Sequence, residues 1–245
     1  MEGWINPGMV RLARETRGWT QQELGEKIGL HKANVSRLEN GDTHIGKETL
    51  GIIAEVTDYP TDFFLQKEEI VPANLSYRKR FKVSSKILTP IEARMNVMRR
   101  HIQFFLRIFP KLPLTFPLYD ASINKAPIEF AKKLRRMWGI AEGVIDNLTR
   151  IVEEKGIVIA EFDFGTTRVD SCSMLTDDKH PVIFLNSSLH GDKQRFSIAY
   201  EFGGILMHTF YPLIPKRDIS KEANQFAAEL LMPEKPMRED FKKRE

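Results

Sequence analysis

The sequence predicts a mostly helical protein, α+β overall, with an N-terminal bundle of five short helices and a C-terminal α/β domain around a small sheet. Three observations predict it. Residues 1–66 form a string of short apolar patterns at helical spacing, punctuated by Gly29 and Gly41. Residues 67–117 are basic and aromatic, and close on Pro110, Pro113 and Pro117. Residues 118–245 mix helical patterns with buried-strand runs such as Pro181-Val182-Ile183-Phe184-Leu185-Asn186. We therefore divide the chain into an N-terminal domain (1–66), a basic, amphipathic helical linker (67–117) and a second domain (118–245).

In the first domain one helix runs through Val10, Leu12 and Ala13. Thr20-Gln21-Gln22-Glu23 is a capping-box pattern. Thr20 caps a helix whose apolar face is Leu24 and Ile28, and Gly29 supplies the left-handed residue after it. The next helix covers Lys32 to Asn40, buries Val35 and Leu38 at i, i+3 spacing, and stops at Gly41. A fourth follows through Leu50, Ile53 and Ala54, and Phe63 and Phe64 close the small core.

Two short helices joined by Gly29-Leu30-His31 are what a helix-turn-helix needs. The first crosses the DNA backbone and the second enters the major groove. Thr20-Gln21-Gln22-Glu23-Leu24, followed by Val35-Ser36-Arg37-Leu38-Glu39-Asn40-Gly41, resembles the Xre family of lambda-repressor-like domains. The resemblance implies that Gln21 and Asn40 bind phosphates. It also implies that Lys32, Ala33 and Arg37 face base edges, with Asn34 on backbone or base. Arg37 would be bidentate to a guanine and Ala33 would touch a thymine methyl. Glu39 is expected to be structural. Bulk charge does not carry this reading: residues 1–65 hold 7 Lys/Arg against 10 Asp/Glu. A helical bundle used only for protein contacts is the bland alternative.

Residues 75–111 reverse that balance, with 10 Lys/Arg against the single acid Glu92. Arg78, Lys79 and Arg80 are candidates for additional phosphate contacts. The segment through Ile91, Met95, Met98, Ile102, Phe105, Leu106 and Phe109 reads as an amphipathic helix whose stripe meets core or a second copy.

In the third region, Arg195-Phe196-Ser197-Ile198-Ala199-Tyr200-Glu201-Phe202-Gly203-Gly204-Ile205-Leu206-Met207-His208 precedes Glu222-Ala223-Asn224-Gln225-Phe226-Ala227-Ala228-Glu229-Leu230-Leu231-Met232-Pro233. This resembles the ImmA/IrrE zinc metallopeptidases, whose helical H-E-x-x-H motif sits in the same context. The resemblance implies a zincin-like fold, and it covers Val169-Asp170 and Pro181 to Asn186 as well. Two histidines at i and i+4 are required to reach one Zn²⁺. Those positions are Tyr200 and Gly204. Glu201, the would-be general base, and Glu222, the third ligand position, remain as vestiges, and His208 is a further candidate ligand. A glutamate base of this type acts on a metal-bound water. No metal or other cofactor is therefore expected, and no peptidase activity. His180 and His190 are read as surface loop residues. The chain ends at Glu245, and proteins with this domain fusion often run further, so a C-terminal region is expected to be short.

The net charge of +4 and pI of about 9.1 permit nucleic acid without demanding it. No apolar run reaches membrane-spanning length, no leader pattern opens the chain, and Cys172 stands alone, which fits a reducing cytoplasm. The leading expectation is a DNA-binding transcriptional regulator, a repressor, working as a homodimer on a double-stranded operator. Its second domain is a dead peptidase fold used for sensing or docking. One alternative is an antitoxin that holds a toxin through the second domain and represses its own operon. Another is an active zinc peptidase that cleaves a repressor.

Overall fold

The computed structural model describes residues 5–67, 78–79, 83–109, 113–117, 119, 126–140, 143–210, 217–234 and 238, with Arg78 and Lys79 described by backbone alone. It divides into two compact units: Met1–Asn74 with Val83–His101, and Leu75–Lys82 with Ile102–Glu245.

The first unit starts with α1 (Pro7–Thr16), where Asn6 caps the Gly8 N–H at 3.0 Å and Pro7 fills the first turn. In α2 (Gln21–Ile28) the capping box is complete: Glu23 N–H donates to Thr20 Oγ1 at 3.2 Å and Thr20 N–H to Glu23 Oε2 at 2.6 Å. Gly29 ends it at φ 70°. A Cβ at Gly25 would press into the Leu30 carbonyl oxygen, so this glycine lets the turn fold tightly onto α2. Then come α3 (Lys32–Asn40), α4 (Lys47–Thr57) and a 3₁₀ turn (Thr61–Leu65), which stands where a fifth helix was expected. Met9, Leu12, Leu24, Val35, Ile53 and Phe64 form a core that is closed to solvent.

The long helix α5 (Ser85–Ile108) belongs to both units. Ala93 joins the first unit's core, and Ile91 and Met95 are buried. Further along the expected apolar stripe, Met98, Ile102 and Leu106 are half-buried. Phe104, Phe105, Ile108 and Phe109 are 60%, 56%, 59% and 61% exposed. Arg99 and Arg100, in contrast, are buried.

The second unit is built on a four-stranded sheet in the order β1 (Arg78–Lys79), β3 (Val169–Leu175), β4 (Pro181–Asn186), β2 (Val158–Phe162). β3 runs antiparallel to β1 and β4, and β2 runs parallel to β4. Nearly every residue of β3 and β4 is buried, which suits the apolar run Val182 to Leu185 of β4, while β3 buries Asp170, Ser171 and Ser173 among its apolar residues. Helices α6 (Pro127–Met137), α7 (Leu148–Glu154), α8 (Gly191–Gly204) and α9 (Ile219–Leu231) complete the unit, with a π-helical turn (Ile205–Thr209) directly after α8. Gly203 brings α8 onto α9: a Cβ there would stand 2.5 Å from Phe226 Cδ1. Phe202, Leu206, Phe226 and Ala227 fill the space around it. His180, expected at the surface, is only 5% exposed; it ends the turn between β3 and β4 that is closed by the Thr176 N–H to His180 O bond of 2.9 Å. His190 is exposed, at the start of α8.

Candidate functional site

Helix α3 has two unlike sides. Val35, Leu38 and Glu39 are buried, while Lys32, Ala33, Asn34, Arg37 and Asn40 are exposed. The buried side is anchored by charge as well as by packing. Glu39 accepts from Arg14 Nε at 2.5 Å and Nη2 at 2.9 Å, and from Gln21 Nε2 at 3.0 Å. Arg14 Nη1 continues to the Trp19 carbonyl at 2.6 Å. Burial opposes the Arg14 charge, but its hydrogen bond to Glu39 and the Glu39 field outweigh that and raise its pKa. Glu39 is therefore a structural member of the motif. A carboxylate with this many donors holds α1, α2 and α3 in one fixed arrangement.

Sequence reasoning missed Arg11. Its Nη2 donates to Asn40 Oδ1 at 3.3 Å and its Nε lies 4.0 Å from Glu39 Oε2. The exposed edge of α3 thus continues onto α1. Gln21, expected to face a phosphate, is half-buried and turns its amide to Glu39. Arg78 and Lys79 form the edge strand of the second unit's sheet, opposite Ser171 and Val169. Arg80 lies outside the described residues.

The second candidate site lies where α8 passes into the π turn. Tyr200 is 1% exposed, with its hydroxyl 3.2 Å from Ser220 Oγ. Glu201 is 2% exposed and both its oxygens are engaged: Oε1 accepts from Ser171 Oγ at 2.7 Å and Oε2 from Ser173 Oγ at 2.9 Å. Those serines share one face of β3 because side chains alternate along a strand. Among the described residues, a Cβ at Gly204 would meet nothing within 4 Å.

Glu222, in the first turn of α9, accepts from Arg217 Nε and Nη2, each at 2.7 Å. The Tyr119 hydroxyl hydrogen-bonds the same guanidinium. The Glu222 hydrogen bond is the main reason that Arg217 holds its proton more tightly than usual, and burial lifts the Tyr119 phenol. His208 Nε2 is 3.3 Å from Glu222 Oε2, and burial pushes this imidazole below its ordinary pKa. The structure therefore brings Tyr200, His208 and Glu222 to one end of α8 and turns Glu201 toward the sheet. Among the described residues, no group of three His, Cys, Asp or Glu is placed to hold a metal ion. Nor is any helix among them long and apolar enough to cross a membrane.

Comparison with known proteins agrees with the two-part architecture. Residues 10–64 match the family model described as Helix-turn-helix, and residues 152–245 match the IrrE N-terminal-like domain. Two curated relatives, each named Uncharacterized HTH-type transcriptional regulator, come from Sinorhizobium medicae strain WSM419 and Rhizobium meliloti strain 1021. Each is 30% identical over 57 residues, 23% of this chain and 41% of the relative. The chain thus spans about two fifths of the length of the curated relatives it matches. No solved structure matches. The chain joins an Xre-like helix-turn-helix domain at its N-terminus to an IrrE-like domain at its C-terminus.

Proposed function

We propose that this chain is a sequence-specific transcriptional repressor that binds operator DNA as a homodimer, and whose second domain is a non-catalytic peptidase fold serving pairing and sensing. One observation carries the reading. Helix α3 presents Lys32, Ala33, Asn34 and Arg37 to solvent while Glu39, on its other side, is clamped by Arg14 and Gln21. A rigid helix with an unobstructed polar edge is suited to reading base edges in the major groove.

The non-catalytic reading is supported by the set of groups at the end of α8. Neither Tyr200 nor Gly204 offers an imidazole, and Glu201 spends both oxygens on β3 hydroxyls instead of on a water. Homodimerisation follows from the way single helix-turn-helix units read paired half-sites. The ridge of Phe104, Phe105, Ile108 and Phe109 is the described surface that pairing would best cover, since contiguous apolar area of this kind is costly in water.

The test is selection from a random duplex library with the intact protein. An inverted repeat with half-sites about 10 bp apart, or a multiple of that, is the expected product. Failure to enrich any sequence would refute the reading. Elemental analysis of the untagged protein tests the non-catalytic part separately, and stoichiometric zinc would contradict it.

A further inference from the structure

We infer that Arg217 occupies, within the IrrE-like domain, the role that a metal ion would have: it is the built-in counter-cation of Glu222. This inference rests on the non-catalytic reading above. Three observations converge on it. Glu222 stands at the ligand position implied by the family resemblance, and its side chain is only 16% exposed. A carboxylate so placed needs a compensating positive charge or a full set of donors. It has both in one group, since the guanidinium meets its two oxygens at 2.7 Å each in a bidentate fork.

The neighbouring groups are arranged around that fork. Tyr119 hydrogen-bonds the guanidinium from one element, and His208 approaches the same carboxylate at 3.3 Å from the π turn. Asp218, the N-cap of α9, accepts from Lys221 N–H at 2.9 Å, which sets Arg217 just before the helix and Glu222 in its first turn. Tyr200 is tied by its hydroxyl to Ser220, two residues before Glu222 in that turn.

The residues present do not fit zinc. A zinc-bound carboxylate oxygen lies about 2.0–2.2 Å from the ion. A guanidinium held against both oxygens of Glu222 excludes a second cation from that place by repulsion and by volume. The metal-ligand positions and the arginine are thus alternatives. Loss of the two imidazoles is only half of the change, and the other half is a resident cation that keeps α8, α9 and the π turn neutralised without metal.

The experiment compares zinc affinity in two histidine-restored proteins, Tyr200→His/Gly204→His with Arg217 intact and the same pair with Arg217→Gln. Among the described residues nothing stands within 4 Å of a Cβ at Gly204, so the new side chain has room to leave the helix. Zinc is expected to bind about 10–100-fold more tightly once Arg217 is replaced, the range typical of outer-shell changes at metal sites. Arg217→Ala in the same background serves if the glutamine variant does not fold. Equal zinc affinity with and without Arg217, or no zinc binding in either background, would overturn the inference. In the otherwise native chain, Arg217→Gln should lower the melting temperature and Arg217→Lys should recover part of it. Stoichiometric zinc in the native protein itself would instead sink the non-catalytic reading, so the two failures are distinct.

Discussion

Each unit contains a shielded carboxylate gripped by an arginine, and the two grips have opposite consequences. In the first unit Arg14 holds Glu39 behind the recognition helix, on the side away from Lys32, Ala33 and Arg37. The ion pair fixes the helix and leaves its polar edge free. In the second unit Arg217 holds Glu222 at the position where the family resemblance implies a ligand. The same chemistry backs an exposed polar edge in one place and occupies both oxygens of the carboxylate in the other. The difference lies in where the carboxylate stands relative to the groups that would meet a ligand.

The strongest way to break this comparison is to remove one partner of each pair. Glu39→Ala leaves the Arg14 charge buried and should destabilise the first unit by about 3–5 kcal/mol, as read from denaturant unfolding. Glu222→Ala should cost less, since the side chains of Glu222 and Arg217 are each 16% exposed whereas that of Glu39 is fully buried. Equal losses would mean that the first pair is no more buried in solution than the second. A sharper contrast comes from adjacent glycines. Gly203→Ala drives a methyl into Phe226 and should cost about 1–3 kcal/mol by overpacking. Gly204→Ala meets nothing and should gain up to about 1 kcal/mol in helix propensity. Thermal melts of the two variants should move in opposite directions.

The smallest expected effects belong to the cap of α2. Thr20→Ala should cost about 1 kcal/mol. The Thr20 backbone N–H, and then its hydroxyl, hold the Glu23 carboxyl below its ordinary value of 4.5. A depressed carboxyl contributes stability that is complete above the unfolded pKa and fades as pH falls toward the folded one. The wild type should therefore lose the box contribution below about pH 4.5, whereas Glu23→Gln should show a shallower acid dependence in the same range.

What was legible in the sequence was mostly local. The box at Thr20, the left-handed Gly29 and Gly41, and the i, i+3 pair Val35 and Leu38 each act within a few residues, and the helices stand where these signals put them. The Arg14–Glu39 grip spans 25 residues and Ser171–Glu201 spans 30, so neither leaves a mark in any short window. Arg11 escaped notice for the same reason: nothing near it in sequence says that α1 lies beside Asn40. Periodicity correctly identified the amphipathic helix α5, but it cannot say which stretch of a stripe finds a partner. Ile91 and Met95 do, and Phe105 and Phe109 do not. His180 was misread because a polar turn was taken as an exposed one. In the second site, the missing imidazoles at Tyr200 and Gly204 were plain from residue type, while the arginine that stands in their company lay five residues before Glu222 in a segment with no motif to mark it.

The central claim is that the exposed edge of α3 reads DNA sequence. Its most direct test is titration of wild-type and Arg37→Ala protein against a selected duplex and a scrambled duplex at one fixed salt concentration. The account predicts that Arg37→Ala loses about 1–3 kcal/mol on the selected duplex and little on the scrambled one, so that the specificity ratio falls. An Arg37→Ala protein that keeps the wild-type ratio would contradict it.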